Sequence, residues 1–216
     1  MLRTFSGMFI VSLALALPAR AATGSIAGKV SAPGDGARPL LVYVEKGPED
    51  ARTENATHRQ VLQKNMQFEP GAIWARAGDT IDFVNNDNIY HNVFSTTPGN
   101  EFDLGLYRGG LAKSVQVQKP GEVDVYCNIH PSMKTKVLVL PPSTRVAEAA
   151  ADGSYSLAQL PPGIYTLVAW SATHEPARSQ VEVKVGQEAK VNFALKLRAR
   201  VVSHLDKSGE QYGRYK

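Results

Sequence analysis

Cysteine is nearly absent from this chain. Among 216 residues only Cys127 carries a thiol, which excludes an internal disulfide framework and any zinc site built mainly on thiolates. Histidine is scarce as well. There are five, and no two form a His-x-His pair, so a centre made of clustered imidazoles lacks its raw material. A dominant charge is missing: 24 Lys and Arg face 20 Asp and Glu, and no basic run calls for nucleic acid. Long apolar runs are missing too. The longest, Met8 to Leu17, falls well short of the roughly 20 residues a spanning helix needs.

What is present begins with a leader. Arg3 supplies a positive start, Met8 to Leu17 an apolar stretch, and Ala19-Arg20-Ala21 a small-x-small cleavage site. Residues 1–21 therefore read as a secretory signal peptide, and the mature protein is expected in the periplasm without a membrane span. Its removal takes Arg3 and Arg20 but no acid, so the formal net charge falls from +4 to +2. Much of that excess sits in a basic tail, residues 197–216, with Arg198, Arg200, Lys207, Arg214 and Lys216. Export also changes the meaning of Cys127. A lone thiol in an oxidising compartment is exposed to oxidation unless it is buried or held by a metal.

The 18 glycines and 13 prolines divide the chain into short segments of alternating character, the signature of an all-β protein. Ile81-Asp82-Phe83-Val84 follows the turn Ala77-Gly78-Asp79. Val123-Asp124-Val125-Tyr126-Cys127 alternates strictly, which puts Cys127 on the same inward face as Val123 and Val125. Lys134 to Leu140 reads as a closing strand. After Pro141-Pro142 the style changes to turn-and-strand units at Asp152-Gly153 and Pro161-Pro162-Gly163, with a final hairpin expected around Gly186. Residues 24–47 share that later style. They are expected to pair with residues 142–196 in a second, discontinuous β-sandwich, with residues 58–141 inserted between. A leading strand pair followed by two units in series is the simpler alternative.

Chemistry concentrates in Cys127-Asn128-Ile129-His130-Pro131-Ser132-Met133. A thiolate, an imidazole and a thioether at C-x2-H-x2-M spacing are donors of a blue-copper site that needs one more histidine. The soft sulfurs suit Cu(I) and the imidazoles keep Cu(II) acceptable. Pro131 restricts the loop. A compact site cannot be closed by one short loop, so the other imidazole must come from a distant strand end. His91 stands there, after the polar turn Asn85-Asn86-Asp87-Asn88, and Asn92 beside it is placed to brace the loop. A lone C-x2-H is also half of a zinc site or of a nucleophilic enzyme. The first lacks further ligands, and the second leaves Pro131 and Met133 without a role. His58, His174 and His204 lie in polar surroundings and are expected at the surface. The sequon at Asn55 carries little weight, and Gly105 to Ser114 lacks the glycine that a phosphate loop needs before Lys113.

Phe68-Glu69-Pro70, Ala77 to Asn85 and His91-Asn92-Val93, with Cys127, His130 and Met133, resemble the cupredoxin family over residues 58–141. The short ligand loop is closer to amicyanins than to plastocyanins, and Phe102 to Tyr107 is similar to plastocyanin-like methylamine utilisation proteins. The resemblance implies a Greek-key β-sandwich holding one mononuclear copper, with His91, Cys127 and His130 equatorial and Met133 axial. Ala151 to Tyr155 and Leu160 to Tyr165, opened by Gly24 to Val30, resemble the carboxypeptidase regulatory-like or transthyretin-like sandwich, which brings no catalytic residues. The expected function is one-electron carriage between periplasmic redox proteins, with a c-type cytochrome or a dehydrogenase as partner and Ile129, Pro131 and Met133 as an apolar collar around His130. The alternatives are copper carriage or buffering, and a binding module that happens to hold copper. An enzyme is not expected.

Overall fold

A computed structural model describes residues 22–34, 38–49, 54–199 and 204–211. The expected leader, residues 1–21, lies outside them, as do Arg200, Arg214 and Lys216. All regular structure among the described residues is β-strand. None of them form a helix long and apolar enough to cross a membrane.

Strands β1 (Gly24–Ser31) and β2 (Leu41–Lys46) come first. Then follow β3 (His58–Lys64), β4 (Gln67–Glu69), β5 (Ala72–Arg76), β6 (Thr80–Asn85) and β7 (His91–Ser95). The next are β8 (Phe102–Tyr107), β9 (Ala112–Gln116), β10 (Gly121–Cys127) and β11 (Lys134–Leu140). The chain ends through β12 (Val146–Glu148), β13 (Ser154–Leu160), β14 (Gly163–Trp170) and β15 (His174–Glu175). Last come β16 (Ala177–Val183), β17 (Glu188–Lys190), β18 (Phe193–Ala194) and β19 (Lys196–Leu197).

Strands β3 to β11 make two facing sheets, ordered β5-β11-β10-β7-β8 and β4-β3-β6-β9. The alternation read from the sequence decides which face is buried. Ile81 and Phe83 of β6 meet Val123, Val125 and Cys127 of β10 and Val137 and Val139 of β11 in one core. Fully burying a valine or phenylalanine there contributes about 1.5–3 kcal/mol per side chain, so a one-residue slip of β10 would expose three core residues at once.

Most of the remaining strands make a second pair of layers, while β15 and β19 pair with each other in a separate two-stranded sheet. One is ordered β13-β1-β17, with β18 also on β1; the other is β12-β2-β14-β16. Ile26, Val42, Leu157, Leu167 and Phe193 fill the space between them. Strand β1 runs close against the returning chain because Gly28 has no side chain: a Cβ there would sit 1.7 Å from the Val191 carbonyl oxygen. The hairpin expected around Gly186 does not form. Instead β16 pairs with β14, while β17 runs parallel to β1 in the opposite layer. Alternation tells which face of a strand is apolar, but not which strand edge will receive it, and here the free edge of β1 does.

The two pairs of layers meet at an apolar seam of Leu41, Ala72, Leu138, Leu140 and Trp170. Polar contacts frame it. Trp170 Nε1 donates to Glu122 Oε1 at 2.7 Å, and the Arg198 guanidinium holds both carboxylate oxygens of Glu122. Lys136 adds a second cation 3.1 Å away. Burial alone would raise the Glu122 carboxyl, but the bonds from Arg198 and Trp170 and the Lys136 charge outweigh it and hold the group down at about 2.

Two surface expectations are corrected here. His174 is fully buried, with Nε2 2.9 Å from the Pro33 carbonyl oxygen and Nδ1 3.0 Å from Thr173 Oγ1. It satisfies both ring nitrogens inside the protein, through a partner too distant in sequence to be anticipated. His204 is half-buried and stacks on Tyr126 with ring centroids 4.1 Å apart. His58 is exposed, as expected, and pairs with Asp82.

Candidate metal centre

Two strand ends and one loop deliver the candidate ligands. β10 carries Cys127 at its last residue, β7 begins on His91, and the loop joining β10 to β11 holds His130 and Met133. Strands β7 and β10 are antiparallel neighbours, with Cys127 opposite Val93. Two segments separated by 36 residues in sequence thus end side by side.

The donor atoms converge. His91 Nδ1 lies 3.0 Å from His130 Nδ1 and 3.8 Å from Cys127 Sγ, and His130 Nδ1 lies 3.6 Å from Cys127 Sγ. A triangle with such edges has its centre about 2 Å from each corner, the length of metal–imidazole and metal–thiolate bonds. No other group of three His, Cys, Asp or Glu among the described residues could hold a metal ion. His91 and Cys127 are fully buried and His130 is half-buried, so the imidazole on the loop is the more accessible one. Met133 is fully buried in the same core as Cys127, and its carbonyl oxygen accepts the Cys127 N–H at 3.2 Å. This corrects the expected surface collar. Pro131 is exposed and Ile129 half-buried, but Met133 faces inward.

Local hydrogen bonds tighten the loop. Met133 N–H donates to the His130 carbonyl at 3.0 Å, and Asn128 N–H reaches the Asn92 carbonyl at 3.3 Å. Asn92 therefore braces the loop through its backbone. Its side chain points elsewhere, donating from Nδ2 to Asp103 Oδ1 at 2.6 Å. Behind His91 stands a group the sequence reading missed. Asp87 Oδ2 lies 2.8 Å from His91 Nε2, while the same carboxylate accepts the N–H groups of Asn65 and Met66 at 2.6 and 2.9 Å. With Nε2–H held by Asp87, the lone pair of Nδ1 faces the other donors. The signal was its place four residues before His91, as the acid of an otherwise Asn-rich turn.

Charge follows the geometry. Burial opposes ionisation of Cys127, yet the bond from His91 and the backbone N–H groups of Asn92, Ile129 and His130 hold its thiol below the ordinary range. Burial pulls the His91 imidazole down, but its bonds to Cys127 and Asp87 outweigh that and raise it. Burial and the adjacent His91 both push His130 down. The pocket thus favours a thiolate beside imidazoles, the donor set a soft or borderline metal ion takes.

Residues 56–140 match the family described as copper binding proteins, plastocyanin/azurin family, and residues 131–196 match the carboxypeptidase regulatory-like domain. Amicyanin-alpha of Methylorubrum extorquens is 34% identical over 83 residues, covering 37% of this chain and 70% of that protein. The chain belongs to the plastocyanin/azurin family of copper-binding proteins. Copper is accordingly its cofactor, and the donors found here suit it. A second relative of this cupredoxin, the methylamine utilization protein MauL of Methylophilus methylotrophus, is 33% identical over 86 residues. That match covers 38% of this chain and about half, 49%, of the relative. Among solved structures, a reduced amicyanin variant is 25% identical over 38% of this chain and 81% of its own, with a TM-score of 0.36. A Cu(I) amicyanin variant is 22% identical over 42% of this chain and 87% of its own, also with a TM-score of 0.36.

Proposed function

We propose that this cupredoxin is a periplasmic one-electron carrier with a single type 1 copper, and not an enzyme. His91, Cys127, His130 and Met133 would hold the copper. The observation that carries this reading is the convergence of two imidazoles and one thiol within 4.8 Å, buried at the meeting of two strand ends. Copper supplies the one-electron couple. The chain supplies everything else. Cys127 offers a thiolate whose charge is spread by backbone N–H groups, and Asp87 fixes His91 in the tautomer that points Nδ1 inward. Burial of His91, Cys127 and Met133 excludes water, so the donors keep their positions whichever charge state they serve.

We also propose the division of labour. Residues 24–47 and 142–196 form one carboxypeptidase regulatory-like sandwich into which the copper unit, residues 58–141, is inserted, with residues 197–216 as a C-terminal extension. The pairing of β1 with β13 and of β2 with β14 supports this. Partners are redox proteins of the same compartment, such as a c-type cytochrome or a dehydrogenase. The name of the methylamine utilization relative supports an amine-oxidising donor.

The test is spectroscopic. Mature protein loaded with Cu(II) is expected to show an intense visible thiolate-to-copper band that bleaches on reduction and returns on oxidation, with the metal retained against a Cu(I) chelator. Cys127→Ser should abolish the band. A colourless loaded protein sinks the reading, and rapid surrender of Cu(I) would turn it into a copper carrier.

A further inference from the structure

Residues 204–211 of the basic tail lie folded against the copper unit. Its own turn is closed by Asp206, whose Oδ1 accepts the N–H groups of Ser208 and Glu210 at 2.8 and 2.9 Å. His204 stacks on Tyr126, the residue before Cys127, with rings inclined by 20°. Lys207 then makes two contacts that matter. Its backbone N–H donates to Asn128 Oδ1 at 2.9 Å, and its ammonium donates to Asp103 Oδ2 at 2.6 Å. The other oxygen of Asp103 accepts the Asn92 side chain. Asn128 directly follows Cys127, and Asn92 directly follows His91. One lysine thus adds a side-chain tie between the two segments that bring the candidate ligands, which also meet through the β7–β10 pairing and the 3.3 Å Asn128–Asn92 backbone bond.

We propose that Lys207 is a positioning residue for the copper centre, clamping the Cys127 loop to the His91 strand through Asn128 and the Asp103–Asn92 pair. The proposal rests on the ligand assignment above. The clamp acts on no donor atom directly. It limits how far the two ligand-bearing segments can separate, and so how far the set can relax between charge states. Removing a partner one step outside a ligand set typically costs about 10- to 100-fold in metal affinity. Lys207 acts at one further remove, so the lower end applies.

The experiment uses the full chain with Lys207→Met, which keeps the stem and the backbone N–H but loses the ammonium, and Lys207→Arg, which restores a cation. Copper retention against a chelator should weaken about 10-fold in K207M. Where the loss falls on one oxidation state, the potential should shift by about 59 mV, the one-electron equivalent of that factor. K207R should recover most of both. In the metal-free chain, K207M should also speed hydrogen exchange at the Asn128 amide. Unchanged retention, potential and exchange in K207M overturn the clamp while leaving the ligand assignment standing. If the unaltered chain shows no thiolate-to-copper band, the ligand assignment falls and takes the positioning role with it, even where the Asn128 amide still responds.

Discussion

The copper unit and the companion sandwich are built alike, two facing sheets over an apolar core, yet they differ in what they bury. Of the buried polar or charged residues among the described ones, Gln63, Arg76, Asp79, Asn85, His91, Asn92, Ser95 and Thr135 lie in the copper unit. Only Thr144, Ser171 and His174 lie in the rest. Buried polar groups cost free energy unless every one is bonded. Their crowding into one unit marks where the chain gives up packing for chemistry. The companion core, from Ile26 to Leu195, is apolar apart from the tyrosine hydroxyls, and those reach backbone carbonyls. It reads as a platform, joined to the copper unit by the Trp170 seam.

The sharpest way to break the comparison is to cut that seam. Trp170→Ala removes a fully buried indole and strips Glu122 of a donor, and should cost about 3–5 kcal/mol. Urea unfolding is expected to split from one transition into two, the copper band surviving the first. A single transition would mean that the halves are not coupled through Trp170. Gly28→Ala strikes the platform alone, because its Cβ would collide with the Val191 carbonyl. A loss of about 3 kcal/mol is expected, with an unchanged visible band. A shifted band would show that strain in the platform reaches the metal.

Glu122→Gln is next, at about 2 kcal/mol near neutral pH. The Glu122 carboxyl is held at about 2, below its ordinary 4.5. Its contribution is therefore complete above pH 4.5 and is lost as pH falls from there towards 2. Thermal melts of the two proteins should converge over that window, and a constant gap down to pH 2 would refute the assignment. Asp87→Asn addresses the copper unit only. It should weaken copper binding about 10-fold by loosening His91, while the platform melts as before; competition with a chelator measures it. The smallest effect belongs to Arg178→Met. Its ion pair with Glu45 is 3.0 Å long but largely exposed. A change under about 0.5 kcal/mol is expected by chemical denaturation.

Much of this was legible before any coordinates. Cys127, His130 and Met133 are close in sequence, so their spacing alone announces a donor loop, and strand phase points Cys127 inward beside Val123 and Val125. His91 was legible as a histidine opening a strand after a polar turn. Asp87 was missed because an acid in a turn is commonplace and only its 2.8 Å approach to Nε2 gives it a role. Asn92 was foreseen as a brace for the loop; the structure has its backbone carbonyl accepting the Asn128 N–H while its side chain turns to Asp103. The inward turn of Met133 and the burial of His174 depend on what packs over them.

Alternation of apolar residues, turn chemistry at glycine and proline, and donor spacing within one loop act over a few residues. By them the sequence alone determined an all-β chain with a copper-ready loop. Strand partners, the crossing at Gly186, the Glu122–Arg198–Trp170 seam and the fold-back of Lys207 onto Asp103 join residues up to 163 positions apart. Such contacts form only when the layers have closed. Many local patterns are compatible with each of them, and the packing of the whole selects one.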